Sequence, residues 1–87
     1  MKTSEQIITL DDGSIGYFFD GKFHNEYGPA IISNRGDTKW FFHGQRHRIS
    51  GPAVEWADGT KEWWIYDTNY TEEQYNNYML IHNFNHI

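Results

Sequence analysis

The chain has 87 residues, no cysteine, a net charge of −5 and an aromatic content of 18%. That length allows one domain, and a domain so small buries only about 60–65% of its unfolded surface, so its rings must supply much of the core. The missing cysteine excludes disulfides and thiolate metal sites, and the acidic balance excludes general duplex nucleic-acid binding, which depends on many phosphate contacts.

In chain order, strands are predicted near 5–11 and 14–20, 29–34 and 37–43, then 52–57 and 60–66. These form hairpin units at 5–20, 29–43 and 52–66 whose turns carry Gly13, Gly36 and Gly59, 23 residues apart each time. Asp12-Gly13 and Asp58-Gly59 signal two-residue type I′ turns, and Arg35-Gly36 fills the same slot. The register persists downstream. Tyr17, Trp40 and Trp63 correspond, as do Phe18, Phe41 and Trp64, then Gly21 and Gly44, then His24 and His47. "GPA" at 28–30 recurs at 51–53, and Pro29 and Pro52 open their strands, where a missing N–H does least harm. Agreement at so many positions without an insertion marks a duplicated unit. The segments "GKFHNEYG" and "GQRHRISG" read as loops joining the hairpins.

After the third hairpin the pattern changes. Thr71 and Gln74 form a capping box, and Glu72 and Glu73 suit the positive end of a helix dipole. A helix is predicted over 72–83, with Tyr75, Tyr78, Met79 and His82 on one stripe and Leu80, Ile81 and Phe84 beside it. Terminal units of repeat arrays cap them, so this helix is expected to cover one sheet face. The fold expected is mostly β with one C-terminal α-helix: an antiparallel β-hairpin repeat meander of three 23-residue units in a single domain, 1–87.

Alternation assigns faces. One carries Ile15, Tyr17, Phe19, Trp40, Phe42, Trp63 and Ile65 and is expected to be the core. The other carries Phe18, Phe41 and Trp64 as an aromatic column, with Lys39 and His43 beside it. With the helix on the more apolar face, this column is left outside, as a stripe of rings rimmed by polar groups that marks a contact surface.

The passage "HGQRHR" invites an acid–base reading of His43 and His47. Duplication argues against it: His47 has a counterpart in His24, and a catalytic residue need not be copied into each unit. Both are read as structural, together with Gly13, Gly36, Gly59, Pro29 and Pro52. Five scattered histidines give no fixed three-ligand set, so no metal and no cofactor are expected. Residues 35–48 carry +3 between flanks of −3 and −5, so Arg46 and Arg48 are candidates to grip a phosphate or an acidic partner loop.

The spacing of "G…W-F/W…G…H-R…GPA" at a 23-residue period resembles the "HRxDGPA" variant of MORN-type repeats, found in tailed-phage and giant-virus genomes. The best match is Trp40–Trp64; the first unit keeps His24 and the GPA but has Asn25 where the pattern has Arg. The closing "YTEEQYNNYM" is similar to the "LTEEEF" helix that ends such phage proteins, and the likeness covers roughly residues 10 to 80. It implies a small, non-catalytic phage-type accessory protein that binds and inhibits a host or anti-phage defence protein. The alternatives are a nucleotide or small-ligand binder that stacks a base and holds a phosphate with Arg46 or Arg48, and behind it a small His-dependent hydrolase. A homodimer burying the column is a further outcome. No apolar run approaches the ~18 residues of a membrane span, and "MKTSEQIITLDDG" lacks a signal-peptide core, so a cytoplasmic site in the host is expected. The sequon at Asn69 and the "RGD" at 35–37 are then set aside.

Overall fold

A computed structural model describes residues 5–83. They form ten short strands and a helix: β1 (Glu5–Thr9), β2 (Ile15–Phe19), β3 (Lys22–Phe23), β4 (Ile31–Ile32), β5 (Thr38–Lys39), β6 (Phe41–Phe42), β7 (Gln45–Arg46), β8 (Val54–Glu55), β9 (Lys61–Ile65), β10 (Thr68–Tyr70) and α1 (Glu72–Asn83). Eight strands join antiparallel in the order β1-β2-β4-β5-β8-β9-β10, with β3 on β2, and β6–β7 form a separate pair. The result is a mostly antiparallel β meander closed by one C-terminal helix. Its extents of 42 × 38 × 20 Å are those of a flat, broad sheet, and the chain runs through it as a winding ribbon.

Gly13, Gly36 and Gly59 occupy equivalent bends, each with φ between 92° and 98°. The turn type differs from the sequence expectation. Gly13 N–H donates to Leu10 O and Leu10 N–H to Ser14 O, and the same two bonds recur from Ser33 and from Trp56. Only the glycine has positive φ, so these are three-residue loops, a type I turn followed by a left-handed glycine.

The two-residue type I′ turns lie elsewhere. Asp20-Gly21 links Phe19 to Lys22, His43-Gly44 links Phe42 to Gln45, and Tyr66-Asp67 links Ile65 to Thr68. All six of these turn residues have positive φ, from 46° to 87°. The segments read as loops therefore begin with a strand each, β3 and β7. The long strand expected at 37–43 is divided between β5 and β6, and those at 29–34 and 52–57 contract to β4 and β8.

Units are joined at both ends. At one, Ser14 Oγ accepts from Asn34 N–H at 3.1 Å, and Asp37 Oδ1 accepts from Ala57 N–H at 2.6 Å. At the other, His24 Nδ1 accepts from His43 N–H and His47 Nδ1 from Tyr66 N–H, both at 2.9 Å.

The apolar face is not a closed core. Of its seven residues only Ile65 is buried; among the described residues the apolar core is Ala30, Ala53, Val54 and Ile65. A single layer offers no second sheet to cover the rings, and the helix covers little. Its capping box forms as expected, with Thr71 Oγ1 accepting from Gln74 N–H and Gln74 Oε1 from Thr71 N–H. It packs mainly on β9 and β10 through Tyr75 on Trp63 and Tyr78 on Tyr70, rather than across the sheet. Leu80 and Ile81 point to solvent, and Phe84 lies outside the described residues. Among the described residues no helix is long and apolar enough to cross a membrane.

Candidate functional site

Phe18, Phe41 and Trp64 do lie on one face, but two interposed side chains make the column continuous. Phe18↔Phe23 and Phe41↔Arg46 are cross-strand partners, which places each pair on one side of the ribbon. Phe18 and Phe23 have ring centroids 4.5 Å apart, and Phe23 and Phe41 5.3 Å. The Arg46 guanidinium carbon then lies 3.7 Å from the Trp64 ring centroid. The run Phe18–Phe23–Phe41–Arg46–Trp64 is half-buried throughout.

Gly16 makes the first part possible, since a Cβ there would lie 3.1 Å from Cε1 of Phe18. Its counterparts Lys39 and Glu62 give the rest of the face a polar character. Glu62 accepts from Trp64 Nε1 and from Trp56 Nε1, both at 2.8 Å. Those indole hydrogen bonds, chiefly the one from Trp64, hold its carboxyl below the usual range. Lys39 Nζ sits 4.8 Å from the Trp56 ring centroid. One end of the face is thus an apolar hollow of about 170 Å³ bounded by Ile8, Leu10, Phe18 and Phe23. The other is a charged one of about 370 Å³ bounded by Lys39, Arg46, Trp56, Glu62 and Asp67.

His43 does not belong to this face, as the alternation had suggested. The left-handed backbone of its turn takes it out of strand parity, and its ring contacts His24 at 4.1 Å, Phe42 at 4.6 Å and Phe19 at 5.8 Å. Arg46 and Arg48 are likewise parted. Arg46 faces Trp64, with Asp67 3.7 Å from its Nε, whereas Arg48 lies 3.9 Å over Trp40, on the other side of the ribbon. No single anion can use both.

His24 and His47 accept backbone N–H groups at Nδ1, which requires the neutral ring with its proton on Nε2. Burial depresses the pKa of both; at His24 the neighbouring His43 adds to this while Glu26 and Glu5 oppose it. His47 also stacks on Tyr66 at 3.9 Å, and Phe42 contacts both His43 and His47. Among the described residues, no three His, Asp or Glu side chains gather to hold a metal.

Phe23, Arg46 as a stacking group, Trp56 and Glu62 were missed as members of this face. The signal for the first two was Asp20-Gly21, a type I′ dipeptide that places position 23 opposite 18 and, one unit on, 46 opposite 41. Comparison of the chain with known protein families, with curated proteins and with solved structures returned no match.

Proposed function

We propose that the chain is a non-catalytic binding module that engages a partner protein through the face bearing Phe18, Phe23, Phe41, Arg46 and Trp64. The observation that carries this is the half-exposed continuity of those five side chains along a ribbon about 20 Å thick. Rings and arginine are the groups that dominate protein contact energies. The resemblance to phage repeat proteins makes the partner a host or anti-phage defence protein, met and inhibited in the host cytoplasm.

The competing readings draw less support. A nucleotide site needs Arg46 or Arg48 for its phosphate, and each already lies over a tryptophan ring with a carboxylate beside it, Asp67 for Arg46 and Glu55 for Arg48. A hydrolase built on His43 and His47 would need a base whose Nδ1 is already committed to Tyr66 N–H.

The test is capture from extract of infected cells with the wild-type chain and with the Phe41→Ala/Trp64→Ala variant, whose fold is followed by circular dichroism. A partner held by the first and lost by a folded variant supports the proposal. Equal capture by both overturns it. Light scattering on the free chain reports whether a second copy occupies the same face.

A further inference from the structure

On the side of the ribbon opposite that column, positions 17, 40 and 63 each carry a large ring, and two of the three are covered from within the chain. Over Trp40 lies Arg48, its guanidinium carbon 3.9 Å from the ring centroid. Arg48 NH1 donates to Pro52 O and Nε to Ser50 Oγ, both at 3.1 Å, and Glu55 Oε2 lies 3.5 Å from NH1. The group also packs on Gly51, where an added Cβ would lie 3.3 Å from the guanidinium carbon. Over Trp63 lies Tyr75, at 6.3 Å.

Among the described residues the first unit has the same slot without the filling. Asn25 stands at the position of Arg48 and repeats its bond, Nδ2 donating to Pro29 O at 3.1 Å. Its side chain ends there. Among the described residues no cation lies over Tyr17, and the nearest atom to a Cβ on Gly28 would be Asn25 Nδ2, at 3.7 Å. The groove over Tyr17 measures about 760 Å³, against about 270 Å³ for its counterpart over Trp40. Glu55 has no acidic counterpart in the first unit, since Ile32 takes its place. The groove is instead lined by Glu26, at the position of Ile49. Tyr27, 90% exposed, forms part of the same wall.

We propose that this groove receives an arginine side chain from a partner protein, its guanidinium stacked on Tyr17 and paired with the Glu26 carboxylate that lines it. Arg48 over Trp40 is the intramolecular precedent for both the stacking and the ion pair. The planar group suits the ring in a way a lysine ammonium does not. The net charge of −5 also favours a basic partner segment. The site lies on the far side of the ribbon from the aromatic column, so either can fail without the other.

The experiment is an amide-shift NMR titration of the full chain with acetyl-Gly-Arg-Gly-amide and with the same peptide carrying citrulline or lysine. Expected are shifts at Tyr17, Asn25 and Tyr27, with the citrulline and lysine peptides at least about fivefold weaker. Asn25→Arg, which supplies the guanidinium in cis, should remove the response while the rest of the spectrum is kept. Absence of these shifts at millimolar peptide, equal binding of the three peptides, or an undiminished response in a folded Asn25→Arg chain would each overturn the proposal. So would concentration-dependent shifts of the same amides without peptide, which assign the groove to a second copy. The comparison of peptides needs no variant, so it decides the matter even where Asn25→Arg fails to fold.

Discussion

The seam between units one and two and the seam between units two and three use the same positions with different chemistry. At the glycine-turn end, a neutral Ser14 hydroxyl accepts from Asn34 at 3.1 Å, whereas a buried Asp37 carboxylate accepts from Ala57 at 2.6 Å and also from Ser33 Oγ at 3.0 Å. At the other end His24 stacks on His43 and His47 on Tyr66. Between them, Phe23 meets Phe41 in the first seam, while Arg46 spans Trp64 and Asp67 in the second. The repeat fixes where a connecting side chain must stand, and the residue placed there sets how firmly the units are joined. Charge-assisted hydrogen bonds are the stronger kind, so the second seam holds more tightly.

Asp37→Ala is the sharpest way to break that difference. It strands the Ala57 N–H and the Ser33 hydroxyl together, and is expected to give the largest fall in melting temperature of any single seam substitution. Ser14→Ala, which removes one neutral bond at the exposed Asn34 N–H, should cost about 0.5–1 kcal/mol by chemical denaturation. Native-state hydrogen exchange reads the same contrast directly: the Asn34 and His43 amides should exchange before those of Ala57 and Tyr66. Faster exchange at Ala57 than at Asn34 would reverse the ranking of the seams.

His47→Ala should cost about 2 kcal/mol, because it frees a backbone N–H in a left-handed turn and removes the ring beneath Tyr66. His24→Ala, at the more open seam, should cost about 1 kcal/mol. Equal costs at the two positions would mean that the stacking partner, tyrosine or histidine, is of no consequence.

The smallest effect is that of pH, and it acts on both seams. Burial disfavours the charged form of each histidine, so its folded pKa lies below the unfolded value of about 6.5. Between those two values the unfolded chain binds more protons, and stability rises with pH. The contribution is complete above about pH 6.5 and is lost as pH falls through the lowered folded value. The carboxylates held low, Asp37 and Glu62, add a separate loss only below about pH 4. Melting temperatures should fall between about pH 7.5 and about pH 5, limits that straddle the ordinary histidine value of about 6.5, for the wild type, and the slope should flatten for His24→Gln/His47→Gln. An unchanged slope in the double variant would remove the histidines from the account.

Much of this architecture is local in origin and can be read from residues alone. Gly13, Gly36 and Gly59 are needed because the third residue of each loop must be left-handed, and that need repeats with the unit. Thr71 and Gln74 start the helix through bonds three residues apart, which no distant contact alters. Less legible was the second set of turns. Asp20-Gly21 carries a recognisable signal, but His43-Gly44 and Tyr66-Asp67 do not. Those turns form because His24 and His47, 19 residues earlier, hold the turn N–H groups from outside.

The sequence by itself therefore determined the period, the three glycine-turn hairpins and the closing helix, since each follows from short-range sterics and hydrogen bonding. Tertiary structure alone decided that His43 leaves the aromatic column, that Arg46 and Arg48 part to opposite faces, and that among the described residues a cation lies over Trp40 and none over Tyr17. The physical reason is common to all three. A left-handed turn resets the alternation that parity assumes, and a long side chain comes to rest where neighbours from other units offer it a ring, a carbonyl and a charge.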